Sequence, residues 1–178
     1  MEMVLSEEEK RALLVCARNA IARRLGLPIR SYDATFPDAR CGAFVTLKSG
    51  GALRGCIGRM SSDDALEKTV GAMAAAAAFE DPRFPPLSRD EFDSVHIEIS
   101  VLTPMEPSSR EQVRVGTHGI YVRRGIRAGV LLPQVPVEYG WDRETFLAHG
   151  CRKAGLPPDA WKHDDTEILT FTAFVFGE

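Results

Sequence analysis

Leu13, Leu14, Ala17, Ile21 and Leu25 recur at helical spacing behind Ser6 and Glu9, which form a capping-box pair. This pattern predicts an amphipathic helix over residues 7–25, ended by Gly26 and Pro28. The period then shortens. Residues 41–58 alternate as a β-hairpin turning at Ser49-Gly50-Gly51. Strand side chains alternate faces. Ala43, Val45, Leu47, Leu53 and Ile57 therefore form a predicted apolar face, and Phe44, Thr46, Arg54 and Cys56 the more polar one.

Ser61, Ser62 and Asp63 open a second predicted helix over 63–79, whose alanine-rich end suits close packing on a sheet. Asp81-Pro82 and Pro85-Pro86 stop it and stiffen the loop that follows. Val95, Ile97, Ile99 and Val101 alternate with His96, Glu98 and Ser100, a half-buried strand. Gly119 to Arg123 and Ala128 to Leu132 read as a second hairpin across Arg124 to Arg127. A helix over 144–154 and a closing strand over 168–176 complete the chain. Hairpins with few crossovers predict an α+β fold with a mostly antiparallel sheet flanked by helices.

The length of 178 residues suits a single domain over 1–178, with room for two lobes around a cleft. A 44% apolar content supports a proper core, and the net charge of −3 argues against nucleic-acid binding by the bulk field. The first eleven residues are acidic and unlike a signal peptide, and no apolar run reaches the length of a membrane span. The expected location is the cytoplasm. Cys16, Cys41, Cys56 and Cys151 are scattered, without Cys-x-x-Cys or Cys-His clusters, so reduced thiols and no metal site are expected. Gly125-x-x-x-Gly129 lacks the lysine and hydroxyl residue of a phosphate loop.

The stretch Leu53-Arg54-Gly55-Cys56-Ile57-Gly58 carries the sharpest chemical signal. A guanidinium beside a thiol favours the thiolate, the reactive form. Glycines on both sides permit a ligand or another backbone to approach. The plainer reading is a small buried cysteine at a bend. This stretch resembles the signature of the AMMECR family, also called protein A of the AmmeMemoRadiSam system. Further blocks resemble the family in the same order: Phe79 to Leu87, Ile97 to Thr103 with Glu106, Gly116 to Ile120, and Leu131 to Glu138 followed by Gly140-Trp141-Asp142 and Cys151 to Leu156. The resemblance implies a larger lobe holding both termini, a smaller lobe beside it, and a pathway shared with Memo-like and radical-SAM proteins. It specifies no cofactor.

Cys56 is the candidate nucleophile, with His118 in a glycine-flanked loop as candidate base and Glu98 as the carboxylate that orients it. Arg54 and Arg83 are candidate anion anchors; an arginine cannot itself accept a proton. Gln134 and Glu138 are candidate polar contacts to substrate. Each has an ordinary alternative: a turn histidine, a solvated sheet-face carboxylate, an arginine paired to Asp81 or Glu80, a capped loop. Two functions compete. One is a cysteine-dependent enzyme or enzyme component binding a small anionic or nucleotide-like substrate in the cleft. The other is a non-catalytic adaptor for a protein or RNA partner, although no aromatic-rich basic sheet face supports RNA stacking.

Overall fold

The computed structural model describes residues 4–33, 35–36 and 39–178. The fold is α+β, with two antiparallel four-stranded sheets and helices. The chain divides into two compact units, residues 1–102 with 174–178, and residues 103–173.

In the first unit, helix α1 spans Glu7–Leu25, with Ser6 and Glu9 closing the predicted capping box and Gly26 ending it at φ +66°. Strands β1 (Ala43–Ser49) and β2 (Ala52–Arg59) form the predicted hairpin. Its two turn residues, Gly50 and Gly51, both have positive φ, which glycine adopts without strain. Helix α2 begins later than predicted, at Leu66, and ends at Phe79. Its N-cap is Ala65, without a side-chain cap bond. The Ser62 hydroxyl instead accepts from the Asp64 amide and the Thr69 hydroxyl ahead of the first turn. Strand β3 spans Val95–Leu102.

The first sheet has the order β2-β1-β3-β8. Its inner face presents Val45, Leu47, Ile97 and Ile99, all fully or almost fully buried with Val70, Ala74 and Ala77 of α2 and Leu13, Ala17 and Ile21 of α1. Each fully buried aliphatic side chain of this kind contributes about 1.5–3 kcal/mol. The alanines let α2 lie close to the sheet. Gly55 completes that fit, because a Cβ there would run into the Ala77 carbonyl. Gly58 plays the matching part on the other face, where the Phe44 ring lies against it. The glycines around Cys56 thus admit α2 and Phe44.

In the second unit, β4 (Glu106–Pro107), β5 (Gly119–Arg124), β6 (Arg127–Leu131) and β7 (Glu167–Phe171) form a sheet in the order β4-β7-β5-β6. Helix α4 (Arg143–Lys153), capped by Asp142, buries Phe146, Leu147 and Cys151 with Ile120 and Val122. Residues 134–138, read from sequence as part of a loop, form the short helix α3. The single closing strand expected over 168–176 is two strands. Thr172 separates β7 from β8 (Ala173–Gly177), which joins the first sheet. No glycine or proline within residues 168–176 marks that break. The basic tip of the second hairpin is paired within its unit: Arg123 with Glu167, Arg124 with Asp165, and Arg127 with the Gly155 carbonyl.

Candidate functional site

Cys56 lies on β2, an edge strand, opposite Thr46 of β1. The Thr46 hydroxyl donates to the Cys56 sulfur at 3.3 Å. The Cys56 amide points away from β1 and donates to the Asp81 carboxylate at 2.9 Å. Cys56 and Thr46 therefore form a non-hydrogen-bonded pair, the kind in which facing side chains approach most closely. Thr46 is paired in turn with Glu98 of β3. The row Cys56–Thr46–Glu98 crosses three strands on the face away from the helices.

Asp81, which the sequence reading did not select, organises the surroundings of Cys56. Its side chain is only 2% exposed. It accepts from the Cys56 amide, the Arg83 amide at 3.1 Å, Arg83 Nε at 3.0 Å and Arg83 Nη2 at 2.7 Å. These bonds to Arg83 and to the Cys56 amide hold the Asp81 carboxyl far below the usual carboxylate range. Asp81 in turn raises the pKa of Arg83, with a smaller contribution from Cys56. The Arg83 side chain is 54% exposed, and its Nη2 comes to 3.5 Å from the Cys56 carbonyl. Its Nη1 has no partner among the described residues. The pair thus covers the edge amide and carbonyl of Cys56 and leaves guanidinium donors facing outward. An acidic residue two positions before an arginine, with a proline between, was the one available sequence signal.

Arg54 does not stand beside the thiol as predicted. The hairpin register shifts between Leu47 and Lys48, so Leu47 faces Gly55 while Lys48 faces Leu53. Arg54 is the extra residue of a β-bulge, and the bulge breaks the strict alternation that placed it with Cys56. Its Nε and Nη2 bind the Glu91 carboxylate at 2.8 and 3.2 Å, and Nη2 also binds the Pro85 carbonyl at 3.0 Å. Arg54 is 9% exposed. Its partners are Glu91 and the 85–91 loop, and the cation next to Cys56 is Arg83. The same shift moves Leu53 off the predicted apolar face. It is exposed opposite Lys48.

Glu98 shares the row with Cys56, and its carboxylate is held by Lys48 at 2.8 Å rather than by Arg54 or Arg83. His118, Gln134 and Glu138 belong to the second unit. The turn before His118 rests on α3, where Val137 lies close to Gly116. His118 Nδ1 accepts from the Arg114 amide at 3.2 Å, which places the proton of the neutral ring on Nε2. Burial, and then Arg114, lower its pKa. The ring thus presents an N–H donor at Nε2, and service as a base requires giving up the Nδ1 bond. The Gln134 and Glu138 side chains make no hydrogen bond among the described residues, so the capped-loop alternative finds no support.

Cys16, Cys41 and Cys151 are buried, and burial raises the pKa of each. Cys56 is half-exposed. Limited iodoacetamide treatment of the native protein is therefore expected to label Cys56 first, with the other three labelled only after unfolding. Peptide mass spectrometry checks this, and labelling of all four at one common rate in the native state would contradict it. No group of three or more potential metal ligands occurs among the described residues. No described helix is long and apolar enough to cross a membrane.

Comparison with known proteins adds a family. The family model described as AMMECR1 matches residues 14–176. A protein of Thermococcus onnurineus is 43% identical over 190 residues, covering 98% of this chain and 92% of that protein. Protein MK0488 of Methanopyrus kandleri is 47% identical over 188 residues, covering 98% and 90%. The crystal structure of the uncharacterised protein PH0010 from Pyrococcus horikoshii is similar at a TM-score of 0.81 and 43% identity, covering 94% of this chain and 90% of that one.

Proposed function

The chain belongs to the AMMECR1 family, and on that premise we propose that its first unit carries a thiol site for a small anionic substrate. Cys56 is the nucleophile and Arg83 the anion anchor. The observation that carries this reading is the shared clamp of Asp81 on the Cys56 amide and the Arg83 guanidinium. The carboxylate of the pair is buried while the guanidinium is more than half exposed, so the member of the pair that faces solvent is the cation. Arg83 is pre-organised by two bonds to one carboxylate, which lowers the entropy lost when it grips an anion. Thr46 donates to the sulfur and so cannot serve as its base. Joint action with Memo-like and radical-SAM proteins is part of the proposal and rests on the family resemblance alone.

The test compares iodoacetate with iodoacetamide at Cys56. In both reactions the thiolate displaces iodide and a carbon–sulfur bond forms, but only iodoacetate is anionic. Arg83→Gln is expected to lower the iodoacetate-to-iodoacetamide rate ratio by about three- to tenfold. Added salt is expected to shrink the parent ratio toward that of the variant. An unchanged ratio would remove Arg83 as an anchor and leave the adaptor reading to be pursued.

A further inference from the structure

A cavity of about 340 Å³ lies in the first unit, apart from Cys56, between the loop that follows α1 and the loop that precedes β3. Both walls are fixed from α1. Asn19 is 3% exposed, and its amide donates to the Arg30 carbonyl at 2.7 Å while its oxygen accepts from the Arg30 amide at 2.9 Å. This two-bond clamp sets the backbone after Gly26. Arg18 holds the opposite wall by donating to the Phe92 and Val95 carbonyls, both at 2.7 Å. Its guanidinium lies 5.1 Å from the centre of the Phe92 ring, and its charge is matched by Glu178. The cavity thus exists without any rearrangement.

Its lining divides in a way that selects a ligand. Ala22, Leu27, Pro28, Ile29 and Phe92 give it an apolar body. Ile29 is 52% exposed, a large aliphatic side chain left uncovered at this place. With Arg18 neutralised by Glu178, the remaining charges are Arg30 and Arg89 against Asp93, an excess of one positive charge. The Arg89 Nη2 reaches the Gly26 carbonyl only at 3.4 Å, so it keeps most of its donor capacity. Ligand sites are concave, mainly apolar and carry a few fixed polar groups, and this volume lies at the small end of their range of about 300–1,000 Å³.

We infer that this cavity binds a small monocarboxylate with a short apolar body. The apolar part packs against Leu27, Ile29 and Phe92, and the carboxylate meets Arg30 and Arg89. The site is independent of Cys56.

Phenylacetate and its neutral analogue 2-phenylethanol are the probes, followed by amide chemical shifts of the isotope-labelled full chain. Phenylacetate is expected to shift Leu27, Ile29, Arg30 and Phe92 in a saturable way. The alcohol is expected to bind about tenfold more weakly, because charge-assisted bonds are lost. Arg30→Gln with Arg89→Gln should remove that preference. Ile29→Asp should abolish binding with the arginines intact and so guards against a folding defect in the double variant. Absence of saturable shifts up to about 10 mM phenylacetate, far weaker than specific ligand recognition, overturns the inference. Equal affinity for acid and alcohol overturns its anionic part.

Discussion

Gly55→Val is expected to cost about 3 kcal/mol of stability and to lower the thermal midpoint by roughly 6–12 °C. A Cβ at this position meets the backbone carbonyl of Ala77, and a helix backbone cannot step aside as a flexible side chain can. The added methyls would push α2 away from β2, opening a layer in which Val70, Ala74 and Ala77 are buried. Gly58→Ala provides the contrast. Its new Cβ would meet Cγ and Cδ1 of the half-buried Phe44 ring, so the whole side chain must swing about χ1; a side chain can do so where a helix backbone cannot, and the cost should be smaller. Thermal unfolding of the two variants measures this, and equal midpoints would show that the approach of α2 does not depend on Gly55. The adjacent Cys56 makes the result relevant to function. A glycine required for packing cannot also be read as a ligand-access device.

Glu91→Gln comes second in magnitude. It leaves the Arg54 guanidinium in a nearly buried position facing a neutral partner. Removing one member of a fully buried pair costs roughly 3–5 kcal/mol. The Glu91 side chain is 38% exposed, so solvent screening brings the expected loss to about 2 kcal/mol at neutral pH. The pH dependence gives a sharper signature. Bonds to Arg54 foremost, then to Ser88, pull the Glu91 pKa from 4.5 down to about 2. A depressed carboxylate contributes its full stability above its unfolded pKa and loses it as the pH falls through the folded one. The parent should lose this contribution between about pH 4.5 and 2, where Asp81, also depressed, begins to act in the same direction. Glu91→Gln cannot titrate, so its stability curve should be shallower across that window. Urea midpoints taken at several pH values would show it. Parallel curves for parent and variant would mean that Glu91 carries no such linkage.

Both expectations turn on two adjacent residues of β2, Gly55 and the Arg54 that Glu91 binds, and there the local sequence and the assembled fold contribute differently. The capping box at Ser6 and Glu9, the glycine turn at 50–51, the alternation of β3 and the helical period of α1 are all local. Each depends on bonds or faces within a few residues, so composition and spacing determine them, and with them the α+β class and the candidate status of Cys56. The bulge at Arg54 is different. A one-residue shift of register moves side chains from one face of a strand to the other, and the shift is set by how β2 meets β1 and α2, which no spacing records. Arg54 was therefore assigned to the thiol when its partner is Glu91, 37 positions away. The spacing offers Asp81 as a partner for Arg83, which it is, but not its bond to the backbone of Cys56, 25 positions away. The split at Thr172 is likewise unmarked, because no glycine or proline falls within residues 168–176. The sequence by itself determined most of the elements and marked Cys56 as a candidate. Only the tertiary structure decided which cation stands beside that residue, because a neighbour in space is chosen by packing and register, and both are properties of the assembled chain.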